Sequence, residues 1–289
     1  ASTGLGGGGK GGGGSGFSKM TFFGLRGGSG SGLKGQLYDL KLLADGTPSE
    51  MYPKTALDRM ESSKGLTEMI PQAMNVLQAF IKTWDTSVLA KYFCPPDSLI
   101  ATQIFIPNAP ALELPKAFGL EGKVKPGLLV MHYKATIKAP RTGTFRFVGV
   151  GDDFLVVSIN GKNVLDASFP PLGLKCVLDK EAVVDTKVGR AYGPCQLVGG
   201  KWFNLAAGQS YEIQIILGDE GFGGQISSFL LIQEKGAKYM PQPDDPKAPL
   251  LPVFKVTTNS PLPPYEVGVS GPPVAQEPLI FTISSSPLK

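Results

Sequence analysis

Between residues 33 and 233 the chain is mostly short apolar–polar alternations separated by turn residues. Thr144, Phe145, Arg146 and Phe147 alternate polar and apolar, the two-residue period of a half-buried strand, with Pro140 and Gly143 marking the turn before it. Asp152 and Asp153 follow, and Phe154–Ile159 reads as a second, more continuously apolar strand. Asn160-Gly161 suits the two positive φ angles of a type I′ hairpin turn, from which Val164 and Leu165 begin a return strand. The same reading predicts strands at Leu33–Leu43, Leu99–Ile106, Leu128–Ile137, Leu174–Leu178, Ala182–Asp185, Gly199–Phe203, within Leu205–Leu217 and at Gln225–Gln233. Many short strands with a hairpin signal and no strand–helix alternation argue for a mainly β chain, an antiparallel, jelly-roll-like β-sandwich.

One stretch changes period. Ile70, Ala73, Met74, Leu77, Phe80, Ile81 and Trp84 fall on one face at helical spacing, with Thr67 placed to cap and Pro71 tolerated in the first turn. A second short helix is expected over Thr86–Phe93, ending at Cys94-Pro95-Pro96. The small helical insert near 66–93 therefore packs its aromatic stripe on the sheet as core.

Composition separates the ends from the middle. Residues 1–35 hold 16 of the 38 glycines, and residues 241–289 hold 12 of the 25 prolines. The expected organisation is a Gly-rich arm at 1–31, a sandwich at 32–240 and a Pro-rich extended arm at 241–289, in which only Val253–Thr257 and Leu279–Ser284 are suited to pair as strands. Gly4 to Lys10 nearly spells a phosphate loop, but Gly11 stands where Ser or Thr is needed and no strand precedes it. The net charge of +4 comes from Lys10, Lys19, Arg26 and Lys34 in the first arm, since the remaining basic and acidic residues balance. A neutral body of this kind lacks the basic face of a nucleic-acid binder. No apolar run reaches transmembrane length, and the Ala1-Ser2-Thr3 start is that expected of a mature, exported chain, placing it outside the cell or at its surface. Cys176 and Cys195 flank one β excursion and are candidates for a disulfide, against the alternative of buried thiols; Cys94 would be left over. The only histidine, His132, leaves no catalytic triad or histidine metal cluster.

The motifs resemble the β-sandwich module named for the anthrax toxin protective antigen, which also occurs in fungal flocculin adhesins and as an insert in glycosidases. Gly32-Leu33-Lys34-Gly35-Gln36-Leu37-Tyr38-Asp39 is similar to its opening strand. Pro140, Gly143, Phe145, Phe147, Asp152, Asp153, Ile159, Asn160, Gly161 and Val164 follow its central block; Ala207-Gly208, Tyr211, Ile213, Glu220, Gly223-Gly224 and Phe229-Leu230 follow its end. The resemblance spans about residues 32–233. The chain differs in its helical insert, in Phe154 where Gly or Ala often follows the acidic pair, and in the long excursion at 167–200.

In the adhesin branch the acidic pair holds a calcium ion that ligates sugar hydroxyls. The resemblance thus implies calcium as the one cofactor, with Asp152 and Asp153 as ligands, Asp219 and Glu220 on a neighbouring loop, and cell-surface glycans as partners. Hard-cation chemistry suits such an oxygen donor set. The alternative is that the carboxylates accept backbone N–H bonds and fix the loop. No enzyme is expected: glycosidases need two acids facing each other about 5–9 Å apart, whereas neighbours on a strand point to opposite faces. The arms direct the leading expectation elsewhere, to a secreted structural subunit assembling into a homopolymeric filament or surface layer by strand addition between protomers. Phe17, Met20, Phe22, Phe23 and Leu25 are its candidate contact residues.

Overall fold

The computed structural model describes residues 20–27, 31–51, 69–168, 177–186, 188–193, 195–221, 224–258, 260–277 and 279–284. In chain order its elements are β1 (Met20–Thr21), β2 (Gly24–Arg26), β3 (Leu33–Leu43), α1 (Ile70–Thr83), a 3₁₀ turn (Thr86–Leu89), β4 (Tyr92–Phe93), β5 (Leu99–Ala101), β6 (Phe105–Pro110), α2 (Glu113–Ala117), β7 (Leu129–Lys138), β8 (Gly143–Asp152), β9 (Phe154–Ile159), β10 (Lys162–Asp166), a 3₁₀ turn (Lys180–Ala182), β11 (Arg190–Tyr192), β12 (Cys195–Gln196), β13 (Val198–Gly199), β14 (Phe203–Leu205), β15 (Ser210–Asp219), β16 (Gln225–Glu234) and β17 (Thr282–Ile283).

They form an antiparallel sandwich. One sheet runs β1-β2-β5-β3-β7-β15-β9-β10, with β4 on β3 and β17 on β7; the other runs β13-β8-β16-β6, with β14 on β8. The inner core holds Leu37, Met131, Tyr133, Phe145, Phe147, Leu155, Val157, Ile213, Ile215, Leu230 and Ile232, contributed by alternate positions of both sheets. Each sheet is also covered outside. Helix α1 lays Ile70, Ala73, Leu77, Phe80 and Ile81 on the first sheet, against Val130, Phe154, Val156 and Ile216. Parts of the 188–197 excursion and of the C-terminal segment cover the second, with Val188, Ala191, Leu197, Leu251 and Val253 packed on Val148, Val150, Phe229 and Leu231. Strands buried on both faces explain why Phe154–Ile159 is continuously buried and apolar at every position but Ser158. Asn160 and Gly161 adopt φ 49° and 73°, the values a type I′ turn requires.

Several expected elements are changed by tertiary partners. The second helix is only a 3₁₀ turn, because Tyr92 and Phe93 pair with Leu43 and Asp39 of β3 instead. The single strand expected over 99–106 is two, β5 and β6, since the chain leaves one sheet for the other between them. Thr67 lies outside the described residues, and α1 opens without a side-chain cap at Met69. Leu174–Cys176 also lies outside them, Val177 and Leu178 form no strand, and Ala182 closes a 3₁₀ turn capped by the Asp179 carboxylate. Gly199–Phe203 is divided between β13 and β14.

The C-terminal segment is not an extended arm. Phe254 and Phe281 are fully buried with rings 5.2 Å apart, and Phe254 meets Phe147 at 5.2 Å. Proline excludes a long ladder, so the segment is stitched by single bridges, Leu231 to Val253 and Lys255 to Ile280, before β17 joins β7. Its aromatic payload closes the sandwich core.

Candidate functional site

The two sheets are joined twice at one place. β8 of the second sheet passes into β9 of the first through Asp152 and Asp153; β15 of the first passes into β16 of the second through Asp219, Glu220 and the residues that follow. β15 pairs with β9, and β8 with β16, so the two crossings lie side by side. The four candidate acids are gathered by this topology into one corner.

Main-chain bonds knit the corner. Asp153 N donates to Gly218 O at 3.0 Å, and Glu220 N donates to Asp153 Oδ2 at 2.6 Å. The Asp152–Asp153 peptide bond is cis. Where strand alternation places neighbours on opposite faces, here both carboxyls lie within electrostatic reach of each other and of Asp219. Asp153, Asp219 and Glu220 are fully buried, and Asp152 half-buried. Burial is the main cause that raises the Asp152 carboxyl above the usual range, with Asp219 adding to it and the Asp153 side chain opposing. Burial likewise raises Asp153, reinforced by Asp219, Asp152 and Glu220 and only partly offset by the Glu220 N–H.

The acids divide by role. Asp219 uses both oxygens on the backbone, Oδ1 accepting from Gly221 N at 2.8 Å and Oδ2 from Gly127 N at 2.7 Å, so it fixes loops as turn carboxylates do. Asp153 uses one: Oδ1 is buried with no hydrogen-bond partner. Burial and the neighbouring acids favour the protonated form of this carboxyl, so it becomes a charged ligand only when a cation meets it. Among the described residues no three acidic, histidine or cysteine side chains converge to hold a metal unaided. A cation here would be held by Asp152 and Asp153 with main-chain and ligand oxygens, a set that calcium accepts.

Phe154 does not crowd this loop. Its ring turns outward into the layer under α1, in the space left by Gly218, where a Cβ would lie 2.0 Å from Leu129 O and 2.4 Å from Phe154 Cζ.

Residues that the motif reading did not reach support the corner from behind. Lys41, 2% exposed, donates to Asp39 Oδ1 at 2.7 Å, to Lys125 O at 3.1 Å and to Gly127 O. Gly127 in turn holds Asp219, linking the buried ion pair to the acidic corner. The signals were present: opposite charges two apart on a strand share a face, and Pro126-Gly127 marks a turn. His132 is buried, with Nε2 2.9 Å from Gln214 Oε1 and its ring 5.2 Å from Phe80; burial pulls its pKa down to about 4.

The other candidates lie apart. Phe23 is buried in this chain's own core, β2 pairs with β5, and Tyr133 Oη donates to Phe23 O at 2.7 Å. Phe22 and Leu25 are half-buried and Met20 is 64% exposed; Met20, Phe22 and Phe23 help line a cavity of about 840 Å³. Phe17 lies outside the described residues. So does Cys176, half of the candidate disulfide; Cys195 is buried beside Tyr192.

No family model and no curated protein matches the chain. Solved structures similar to it include the PA14 sugar-binding domain from an RTX adhesin, at 14% identity over 78% of this chain and 94% of that one, with a TM-score of 0.37. The PA14 domain of the MpAFP antifreeze protein is 14% identical over 72% and 84%, TM-score 0.37. The Epithelial Adhesin 6 A domain from Candida glabrata, solved in complex with Galb1-3GlcNAc, is 15% identical over 72% and 81%, TM-score 0.40. The functional reading rests on the acidic corner itself.

Proposed function

We propose that this chain is a non-enzymatic carbohydrate-binding module of an extracellular or cell-surface protein, in which Asp152 and Asp153 hold a calcium ion and sugar hydroxyls complete its coordination. The observation that supports it is Asp153 Oδ1, a buried carboxyl oxygen with no hydrogen-bond partner, in a corner whose acids are held above their usual range and whose charge a cation would offset. Two neighbouring acids at one corner suit a binding role better than the two facing acids of glycoside hydrolysis. Self-assembly through the arms has no comparable support, because Phe23 is used in the chain's own core and Phe254 and Phe281 complete it.

The test is a glycan array probed with the intact protein in calcium and again after chelation. Binding that requires calcium and disappears in the Asp152→Ala, Asp153→Ala double variant is expected. Binding indifferent to both, or none at all, would contradict the proposal.

A further inference from the structure

The outer face of the second sheet is covered at one end and open at the other. Val148, Val150, Phe229 and Leu231 lie under the 188–197 excursion and the C-terminal segment. Beyond that cover the same face carries Arg146 on β8 and, opposite it in register, Gln233 on β16. Lys235 continues the line, its N–H donating to Thr144 O at 2.8 Å. Trp202 stands just before β14, whose Phe203 pairs with Phe145. Phe145, Phe147 and Phe203 pack on the inner core, so Arg146 and Trp202 turn outward. Arg146 is six residues from Asp152 along β8, about 20 Å of strand. The patch is separate from the acidic corner.

Two cations converge on one indole there. The Arg146 guanidinium lies 4.8 Å from the Trp202 ring centroid, and Lys235 Nζ lies 6.0 Å from it. Arg146 is held in place: Nε donates to Gln233 Oε1 at 2.7 Å, and its side chain is only 11% exposed. Gly199 leaves the room for it, since a Cβ there would lie 2.9 Å from Arg146 Nη1. Asp185 faces Arg146 at 3.7 Å and offsets one charge, whereas Lys235 has no ion pair among the described residues. Glu234, its neighbour in sequence, is taken by Arg141. One cation would suffice to cover the indole. A second beside the first adds like-charge repulsion, and the ring is still 36% exposed. An anion would relieve that repulsion, and an apolar face would cover the ring.

We propose that Trp202, Arg146 and Lys235 form a second binding site, independent of calcium, for a uronic-acid polysaccharide. The C–H face of the pyranose would lie on the exposed indole while its carboxylate pairs with Arg146 and Lys235. An acidic peptide would meet the cations and leave the indole bare, which favours the sugar. This inference does not rest on the calcium reading.

The experiment titrates oligogalacturonate into the intact protein by calorimetry in the presence of a chelator, so that calcium-dependent binding is silent. Two comparisons accompany it: the methyl ester, which keeps the rings and removes the charge, and polyglutamate, which keeps the charge and removes the rings. Binding that weakens with added salt is expected, with roughly tenfold losses in affinity for the methyl ester and in Lys235→Gln and Trp202→Ala. Lys235 is exposed, so its variant keeps the fold and the melting temperature whatever Trp202→Ala does to stability. The Asp152→Ala, Asp153→Ala double variant should bind as the wild type does. No binding by the wild type, or unchanged affinity in Lys235→Gln, overturns the site. Equal affinity for the methyl ester overturns the role of charge, and polyglutamate bound as tightly overturns the choice of a saccharide. Loss of binding in the double variant overturns its independence from the acidic corner. Because no calcium is free in the titration, absence of binding here leaves the calcium-dependent reading standing.

Discussion

Single side chains decide what the acidic corner can do. Asp153 carries one satisfied and one orphaned oxygen, whereas Asp219 has both satisfied by backbone N–H groups. Asp153→Asn should therefore abolish calcium-induced stabilisation. A ligand at one hundred times its dissociation constant adds about 2.7 kcal/mol; thermal melting with and without calcium reads that gain in the wild type and its absence in the variant. Lys41 is a different case, a buried cation serving Asp39 and two carbonyls. Removing it leaves a buried carboxylate uncompensated, so Lys41→Met should cost about 3–5 kcal/mol in urea unfolding. The acidic pair was legible in the sequence because motif spacing marks it. The division of labour between the acids was not, since it depends on which N–H groups the crossings and the 125–128 loop bring near.

At the scale of elements, helix α1 and its packing on the sheet were legible from its period, while the sheet residues it meets were not. Phe80 is fully buried between α1 and the first sheet, where it meets Trp84 at 5.3 Å and His132 at 5.2 Å edge-on. Phe80→Ala should cost about 3–5 kcal/mol. His132 adds a pH dependence. Its folded pKa of about 4 lies below the ordinary 6.5, so the unfolded chain binds more protons between those values. Stability should then fall as pH drops through that window, by up to about 3 kcal/mol from this group. Urea midpoints at pH 7 and pH 4.5 should show a smaller loss in His132→Gln than in the wild type; parallel slopes would refute the assignment. The strand errors have one cause: Tyr92-Phe93, and the break between β5 and β6, are set by pairing with distant segments, which local pattern does not contain.

For the molecule as a whole, the Pro-rich end was the most misleading stretch. Its composition reads as an extended arm, yet Leu251, Val253, Phe254, Val256 and Phe281 are buried in the sandwich. A few apolar residues among prolines suffice when a preformed core lacks their volume. A chain ending at residue 240 should therefore lose the cooperative unfolding of the intact protein in calorimetry. The sandwich class followed from alternation and turns alone, while the convergence of two sheet crossings on one corner is a property of topology.

The central claim is that the corner takes a calcium ion through Asp152 and Asp153. Calorimetric titration of calcium chloride into the metal-free protein tests it directly. One ion per chain is expected, with a dissociation constant of about 10⁻⁴–10⁻³ M, the range of extracellular modules, and no binding by Asp153→Asn. Absence of heat in the wild type, or an unchanged isotherm in the variant, would contradict it.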